Sequence, residues 1–424
     1  MRYALVNPAW TFDGSIYFGC REPHLPLEFG YSKALLEAQG HEVLMIDGQM
    51  AQLTNLEIRE TLHTFHPDFT VVTTTPSYLF WRCAPPEVTV PKRLVREIHD
   101  VAENIVIVGP HGSTTPVAVL AKLQADVVVM GECEETLPKL ARSWSEIDAI
   151  TYFDRGRIRK GAGHASDMSA LPALEWPEAV IHAHSHHHHR FDTPFFGFGA
   201  EMEASRGCPY HCTFCAKDNF RNRYRKRPLS IILAELDRVI AQGVTYVYFI
   251  DEIFLPDGAL LEALASRDVK IGIQTRIDLW NHRMIDLLAR AGCVSIEAGI
   301  ESLTSQGRNL LEKRCKLETD ELSERLIYAK KQIAFVQANL IKTPMDDDRT
   351  IAEWREQMRR AGVWANDPVP MFPYPGSPDY TLRWGLPDDR AWERAHEYYL
   401  AQYAQFSEIQ ESRPLPLSEL EHTG

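Results

Sequence analysis

Long apolar runs are missing from this chain. No stretch approaches membrane-spanning length, so a transmembrane anchor is not expected. The opening residues Met1-Arg2-Tyr3-Ala4-Leu5-Val6 read as a strand and lack the anatomy of a signal peptide. Cysteine is sparse. Eight in 424 residues, three of them clustered, fit a reducing cytoplasm and argue against a disulfide scaffold. Positive charge is also in short supply, with 45 Lys and Arg against 58 Asp and Glu and a net charge of −13. A broad nucleic-acid surface is therefore excluded. The one basic run, Arg221 to Arg227 (RNRYRKR), reads as a solvated face or as a clamp for one small anion. No GxGxxG follows the first strand, so the dinucleotide fingerprint is absent as well.

What is present is alternation. Over the first 140 or so residues, strand-like runs at Tyr3–Asn7, Glu42–Asp47, Phe69–Thr74, Ile105–Val108 and Asp126–Met130 alternate with helical patterns such as Phe29–Gln39 and Leu56–Phe65. Such spacing means βαβ units on a parallel sheet, with ligands at the carboxyl ends of the strands. Those ends carry Pro8, Thr75, Ser77 and Tyr78, then Gly109-Pro110-His111, then Gly131-Glu132. A second βα series, with strands at Ala200–Ser205, Tyr246–Ile250, Lys270–Gln274, Cys293–Ala298 and Val336–Ile341, predicts a full or partial parallel barrel with its chemistry on the C-terminal face. The expected domains are 1–143, a linker and wrapping segment 144–197, a core domain 198–385 and a helical tail 386–424.

Directly after the first strand of the second series, Ala204 to Phe220 reads ASRGCPYHCTFCAKDNF. Cys208, Cys212 and Cys215 are one short of the four protein ligands that a closed zinc site takes, unless His211 or an upstream histidine completes the set. Cubane iron–sulfur clusters are held by thiolates, usually four. Three leave one iron open to an outside ligand. The stretch closely resembles the cluster loop of the radical S-adenosylmethionine (SAM) enzymes, including the aromatic Phe214 just before the last cysteine. The resemblance implies a 4Fe-4S cluster on Cys208, Cys212 and Cys215. It also implies SAM on the open iron, and reductive cleavage of SAM to a 5′-deoxyadenosyl radical.

Later strand ends extend the resemblance. Asp251-Glu252, after the second strand, is similar to the acidic motif that receives the SAM amino group. Glu297 to Ser302 (EAGIES), with Glu297, Glu301 and Ser302, looks like the strand that reaches the SAM ribose and carboxylate. Arg276 ends the strand between them, where a guanidinium fork can neutralise a carboxylate. The fifth strand departs from the family pattern: a glycine–proline–glycine turn is replaced by Lys342-Thr343-Pro344-Met345-Asp346-Asp347-Asp348. Phe372 to Pro378 (FPYPGSP) is similar to a rigid turn found late in the cobalamin-dependent members.

The first domain, with its stretches LEAQGHEVLMIDG and VVVMGECEETLPKL, resembles the flavodoxin-like cobalamin domain of those same enzymes. That resemblance implies an α/β fold, with a Rossmann-like cobalamin domain followed by a radical SAM partial (β/α) barrel. Pro8, Thr75, Ser77, Tyr78, Gly109, Pro110, His111, Gly131 and Glu132 would then lie near cobalamin. The Asp-x-His-x-x-Gly motif that supplies an axial histidine is missing, and His111 reads as a hydrogen-bonding loop residue. The run IHAHSHHHHRF, Ile181 to Phe191, holds six histidines. It reads equally as a solvated linker and as a grip on an anionic substrate. The functional expectation is methylation of an unactivated carbon of a small metabolite. Cyclisation without methyl transfer and a zinc-stabilised binding protein are the alternatives. A cytoplasmic location, a small-molecule substrate and an electron donor such as flavodoxin or ferredoxin complete the expectation.

Overall fold

The computed structural model describes residues 1–16, 23–76, 84–184, 197–219, 221–402 and 414–422. The first sheet is built from β1 (Arg2–Asn7), β2 (Glu42–Asp47), β3 (Phe69–Thr73), β4 (Ile105–Val108), β5 (Val127–Val129), β6 (Ile150–Asp154) and β7 (Arg157–Lys160), in the order β2-β1-β3-β4-β5-β6-β7. β1 to β5 pair in parallel, and their near-continuous apolar runs are buried on both faces by helices. The order 2-1-3-4-5 is flavodoxin-like. It turns back between β1 and β3, which places the ligand crevice beyond Asn7 and Thr73.

The segment expected as linker contributes structure of its own. β6 and β7 add an antiparallel hairpin to the edge beyond β5, with Ile150 and Tyr152 in the core. Its turn is Arg155-Gly156, both at positive φ (49° and 79°), the geometry that matches the twist of paired strands.

The second sheet begins at β8 (Phe198–Met202). A two-stranded clasp of β9 (Ser205–Arg206) and β10 (Arg225–Lys226) follows, then β11 (Val244–Phe249), β12 (Lys270–Thr275), β13 (Cys293–Glu301), β14 (Phe335–Leu340) and β15 (Trp364–Ala365). The order β15-β14-β13-β12-β11-β8 is parallel throughout, and among the described residues β8 and β15 do not meet. This is a partial barrel. Val247, Phe249, Ile271, Ile273, Ile296, Ala298, Val336 and Ala338 pack in one apolar core with the covering helices. By strand alternation the opposite face carries polar residues, with Gln274, Glu297 and Gln337 paired directly across three strands.

The helices at the chain's far end, Ala391–Gln402 and Leu417–His422, return to the first domain. Trp392, Leu417 and Leu420 pack with Ala84, Thr89 Oγ1 donates to Leu420 O at 2.8 Å, and Lys122 pairs with Glu393 and Glu421. Beneath this contact Glu87 is buried, accepting from Ser15 Oγ at 3.3 Å, and burial pushes its carboxyl from 4.5 up to about 8. A carboxyl protonated in the fold and ionised in the unfolded chain costs stability progressively as pH rises from about 4.5 to about 8. Glu87→Gln is therefore expected to raise Tm at pH 8 and above, by about 2–4 °C per kcal/mol recovered, and to leave it unchanged at pH 4. Thermal melts across pH check this; an equal shift at both ends would refute it. Among the described residues no helix is long and apolar enough to cross a membrane.

Candidate active site

The cysteine loop leaves the C-terminal end of the first barrel strand and is closed at its base by the β9–β10 clasp. Gly207 (φ +80°) turns the chain into it: a Cβ there would lie 2.1 Å from Arg223 O and 2.7 Å from Arg221 O. Cys208 N donates to Arg221 O at 3.3 Å and Cys215 N to Cys212 O at 3.1 Å. From outside, Thr213 N donates to Leu311 O at 3.1 Å, and Asp379 N donates to Thr213 O at 2.8 Å. Ser377 caps the helix that carries Asp379, through its hydroxyl and Tyr380 N at 3.1 Å. The late FPYPGSP turn thus holds the cysteine loop itself.

All three sulfurs belong to half-buried residues, as does Phe214. Burial pushes the thiols up, Cys212 to about 11 and Cys215 to about 12, with Cys208 adding to the rise at both and Cys212 to that at Cys215. Lys217, Lys313 and Arg276 act in the opposite sense. Three sulfur donors in one loop, beside three cations, are a set that could hold a metal cluster. Among the described residues no three His, Cys, Asp or Glu side chains converge on one metal ion, so they form no closed zinc site.

Asp251 and Glu252 brace the loop's entry. Asp251 is buried, accepts from Ala204 N at 3.1 Å and from the Ser205 hydroxyl, and is pushed up to about 7 by burial. Glu252 accepts Gly207 N at 2.7 Å. Arg276 forks onto Asp278 at 3.1 and 2.8 Å and lies 4.0 Å from the centroid of Tyr210, inside the loop. Its Nη1 is buried and finds no hydrogen-bond partner. Glu297 stands in the inner polar row, whereas Glu301 (φ +62°) pairs with buried Lys313. Ser302 Oγ donates to Asp346 at 3.0 Å. Asp346 also accepts Leu303 N at 2.9 Å and Thr343 Oγ1 at 2.6 Å. The sequence that departs from the family's turn therefore anchors the loop after β13.

In the first domain, Pro8 and Thr75 are buried at the crevice, and the Thr75 hydroxyl finds no hydrogen-bond partner. Ser77 and Tyr78 lie outside the described residues. Gly131 N donates to Ser113 Oγ at 2.9 Å, and Ser113 Oγ donates to Gly109 O at 2.8 Å, which ties the loops after β4 and β5 together. Gly131 (φ +86°) is needed because a Cβ would lie 2.1 Å from His164 O. Pro110 and His111 begin a short buried helix. His111 Nε2 meets Pro85 O at 2.7 Å, its ring lies 4.4 Å from Trp392, and burial lowers its pKa to about 3. It is a neutral packing residue.

The basic run is solvated only in part: Arg223 and Lys226 are exposed, whereas Arg221, Arg225 and Arg227 turn inward onto protein carboxylates. Arg221 Nε meets Glu132 at 2.9 Å, Arg225 meets it at 2.6 Å, and Arg227 pairs with Glu235 at 2.7 Å. Glu132, expected beside the cofactor, is enclosed by Arg221, Arg225 and, at 3.4 Å, Arg206. Of the histidine run, His182 rests on Phe198, and His184 is buried with Nε2 3.0 Å from Glu201 Oε2. His186 to His189 lie outside the described residues. Sequence reading missed Glu201, Lys313 and Asp346. Glu201 was marked only by a charge within an otherwise apolar strand.

Comparison with known proteins agrees with this architecture. The radical SAM superfamily matches residues 202–358, and the B12 binding domain matches residues 21–141. The chain is 26% identical to an uncharacterized methyltransferase of Pyrococcus horikoshii, over 65% of this chain and 61% of that one. It is 23% identical to the anaerobic magnesium-protoporphyrin IX monomethyl ester cyclase of Rubrivivax gelatinosus, over 77% and 60%. The chain thus spans about three-fifths of the length of these curated relatives. Among solved structures it matches the radical S-adenosylmethionine methyltransferase TsrM of Kitasatospora setae, with cobalamin and a 4Fe-4S cluster bound. The TM-score is 0.71 at 17% identity, over 89% of this chain and 76% of that one. The chain thus joins a B12-binding domain to a radical SAM domain, whose partial barrel opens on a three-cysteine loop.

Proposed function

We propose that the protein uses a 4Fe-4S cluster, SAM and cobalamin to methylate an unactivated carbon of a small metabolite. The observation that carries this reading is the meeting, at one rim of the partial barrel, of three thiols with the unpartnered Nη1 of Arg276. When bound, the cluster supplies one electron that cleaves SAM to a 5′-deoxyadenosyl radical, and cobalamin carries the methyl group.

The chain's own residues do the rest. Cys208, Cys212 and Cys215 hold the cluster, and Lys217 and Lys313 offset its negative charge. Arg276, already oriented by Asp278, offers its remaining nitrogen to the SAM carboxylate. Glu297 and its neighbours on the inner face hold polar groups of SAM or substrate. Pro8, Thr75 and the Gly109–Gly131 loops line the cobalamin crevice, where the free Thr75 hydroxyl suits a polar edge. His111, neutral and turned into the tail contact, would not be available to cobalt as a ligand. The reducing electron comes from a small redox protein such as flavodoxin or ferredoxin, in the cytoplasm.

Methyl transfer is favoured by the methyltransferases among the similar proteins, and the cyclase relatives favour cyclisation or rearrangement as the second reading. Anaerobic reconstitution followed by electron paramagnetic resonance tests the cofactor assignment. A cluster signal and a Co(II) signal without nitrogen superhyperfine splitting are expected. Splitting that disappears in His111→Ala would overturn the cobalt assignment, and a colourless zinc protein would overturn the whole reading.

A further inference from the structure

One path of ion pairs runs unbroken from the ligand edge of the first sheet to the cysteine loop. Glu132 follows Gly131 at the end of β5 and accepts Arg221 Nε at 2.9 Å. Arg221 Nη1 donates to Glu252 Oε1 at 2.5 Å. Glu252 Oε2 accepts Gly207 N at 2.7 Å, and the next residue is Cys208. The backbone repeats the route, because Cys208 N donates to Arg221 O at 3.3 Å. Arg225 closes on Glu132 from one side at 2.6 Å and Arg206 from the other at 3.4 Å. The Glu132 side chain is 0% exposed, and those of Arg221 and Glu252 are each 7% exposed.

Arg221, Arg225 and the Ser166 amide fill the acceptor sites of this carboxylate, and Arg206 adds a third positive charge beside it. Apolar surfaces can slide over one another, whereas forked charge-assisted hydrogen bonds fix direction as well as distance. The ligand edge of the sheet and the cysteine loop are the two places that must keep a set spacing.

We propose that Glu132 is a positioning residue which, through Arg221 and Glu252, locks the cysteine loop at one distance and orientation from the first sheet's ligand edge. The part of this inference that concerns the spacing of cluster and cobalt rests on the function proposed above; the locking of the loop does not.

Hydrogen–deuterium exchange on the intact protein tests the lock. In Glu132→Gln the amides of Gly207 to Cys215 are expected to exchange about tenfold faster, as the loss of one charged hydrogen bond gives. Glu235→Gln removes an equally buried carboxylate from the neighbouring pair with Arg227, off the path, and should leave those amides at the wild-type rate. Wild-type protection in Glu132→Gln, or equal loosening in both variants, would overturn the proposal. If Glu132→Gln does not fold, Arg221→Lys, which keeps the charge and loses the two-ended reach, carries the same test. In cofactor-loaded protein, the magnetic coupling between Co(II) and the reduced cluster should be single-valued in the wild type, spread in Glu132→Gln and restored in Glu132→Asp. A coupling as sharp in Glu132→Gln as in the wild type counts against the lock. No coupling in loaded wild type would strike the proposed function, and the exchange result would still decide the lock.

Discussion

Alanine at Cys208, Cys212 or Cys215 is expected to strip reconstituted protein of its cluster and to lower SAM cleavage by about 100-fold or more. The three thiols sit in one loop, close enough that Cys208 raises the pKa of both Cys212 and Cys215, and all are pressed upward by burial. Only a bound cation makes three thiolates tolerable there, and two remaining sulfurs cannot hold a cubane. The other described cysteines are engaged elsewhere. Cys133 meets Ser32 Oγ at 3.7 Å, Cys293 donates to Ser295 O at 3.4 Å, and Cys315 donates to Leu317 O at 3.7 Å. Alanine at these, or at Cys20 or Cys83, should leave iron and sulfide near wild-type values. Iron and sulfide analysis after anaerobic reconstitution is the measurement. Full content in any one of the three loop variants would contradict the assignment.

With the true substrate present, S-adenosylhomocysteine and 5′-deoxyadenosine are expected in comparable amounts. In the proposed reaction one SAM would give up its methyl group and leave as S-adenosylhomocysteine; a second would take one electron, releasing methionine and a 5′-deoxyadenosyl radical, which would become 5′-deoxyadenosine by taking a hydrogen atom from the substrate. Chromatography of the SAM-derived products reads both. Arg276→Lys replaces a planar fork with a point charge and should lower both products by about 10-fold while cluster iron is retained. Removing the carboxylates of Asp251 and Glu252 should lower both products together with cluster iron, because these groups hold Ala204, Ser205 and Gly207 in place. If 5′-deoxyadenosine forms with neither S-adenosylhomocysteine nor a methylated product, cyclisation or rearrangement replaces methyl transfer.

Apolar periodicity reports what a strand buries against its own helices, so the five parallel strands of the first sheet and five of the six barrel strands were legible to within two or three residues; the two-residue β15 was too short to show a period. The β6–β7 hairpin was not. Its turn is Arg-Gly without the usual Asn or Asp, and β7 is exposed along its length. The three-cysteine loop was legible because its spacing is local. Glu132 with Arg221 and Arg225 was not, because a charge in sequence looks solvated until its partner, about ninety residues away, is known. Asp346 escaped for the same reason, its partners Ser302 and Leu303 lying more than forty residues upstream.

The return of the last helices to the first domain makes that domain discontinuous in sequence. Trp392, Leu417 and Leu420 complete a surface whose other half is Ala84 and His111. The barrel thus lies in sequence between two pieces of chain that pack on one another, although the tail helix also packs on Phe372 and Tyr380. No single cut in the chain would separate the cobalamin-binding module intact. Any exchange of that module between proteins has to carry both of its ends, or leave a bare apolar seam where the tail once lay.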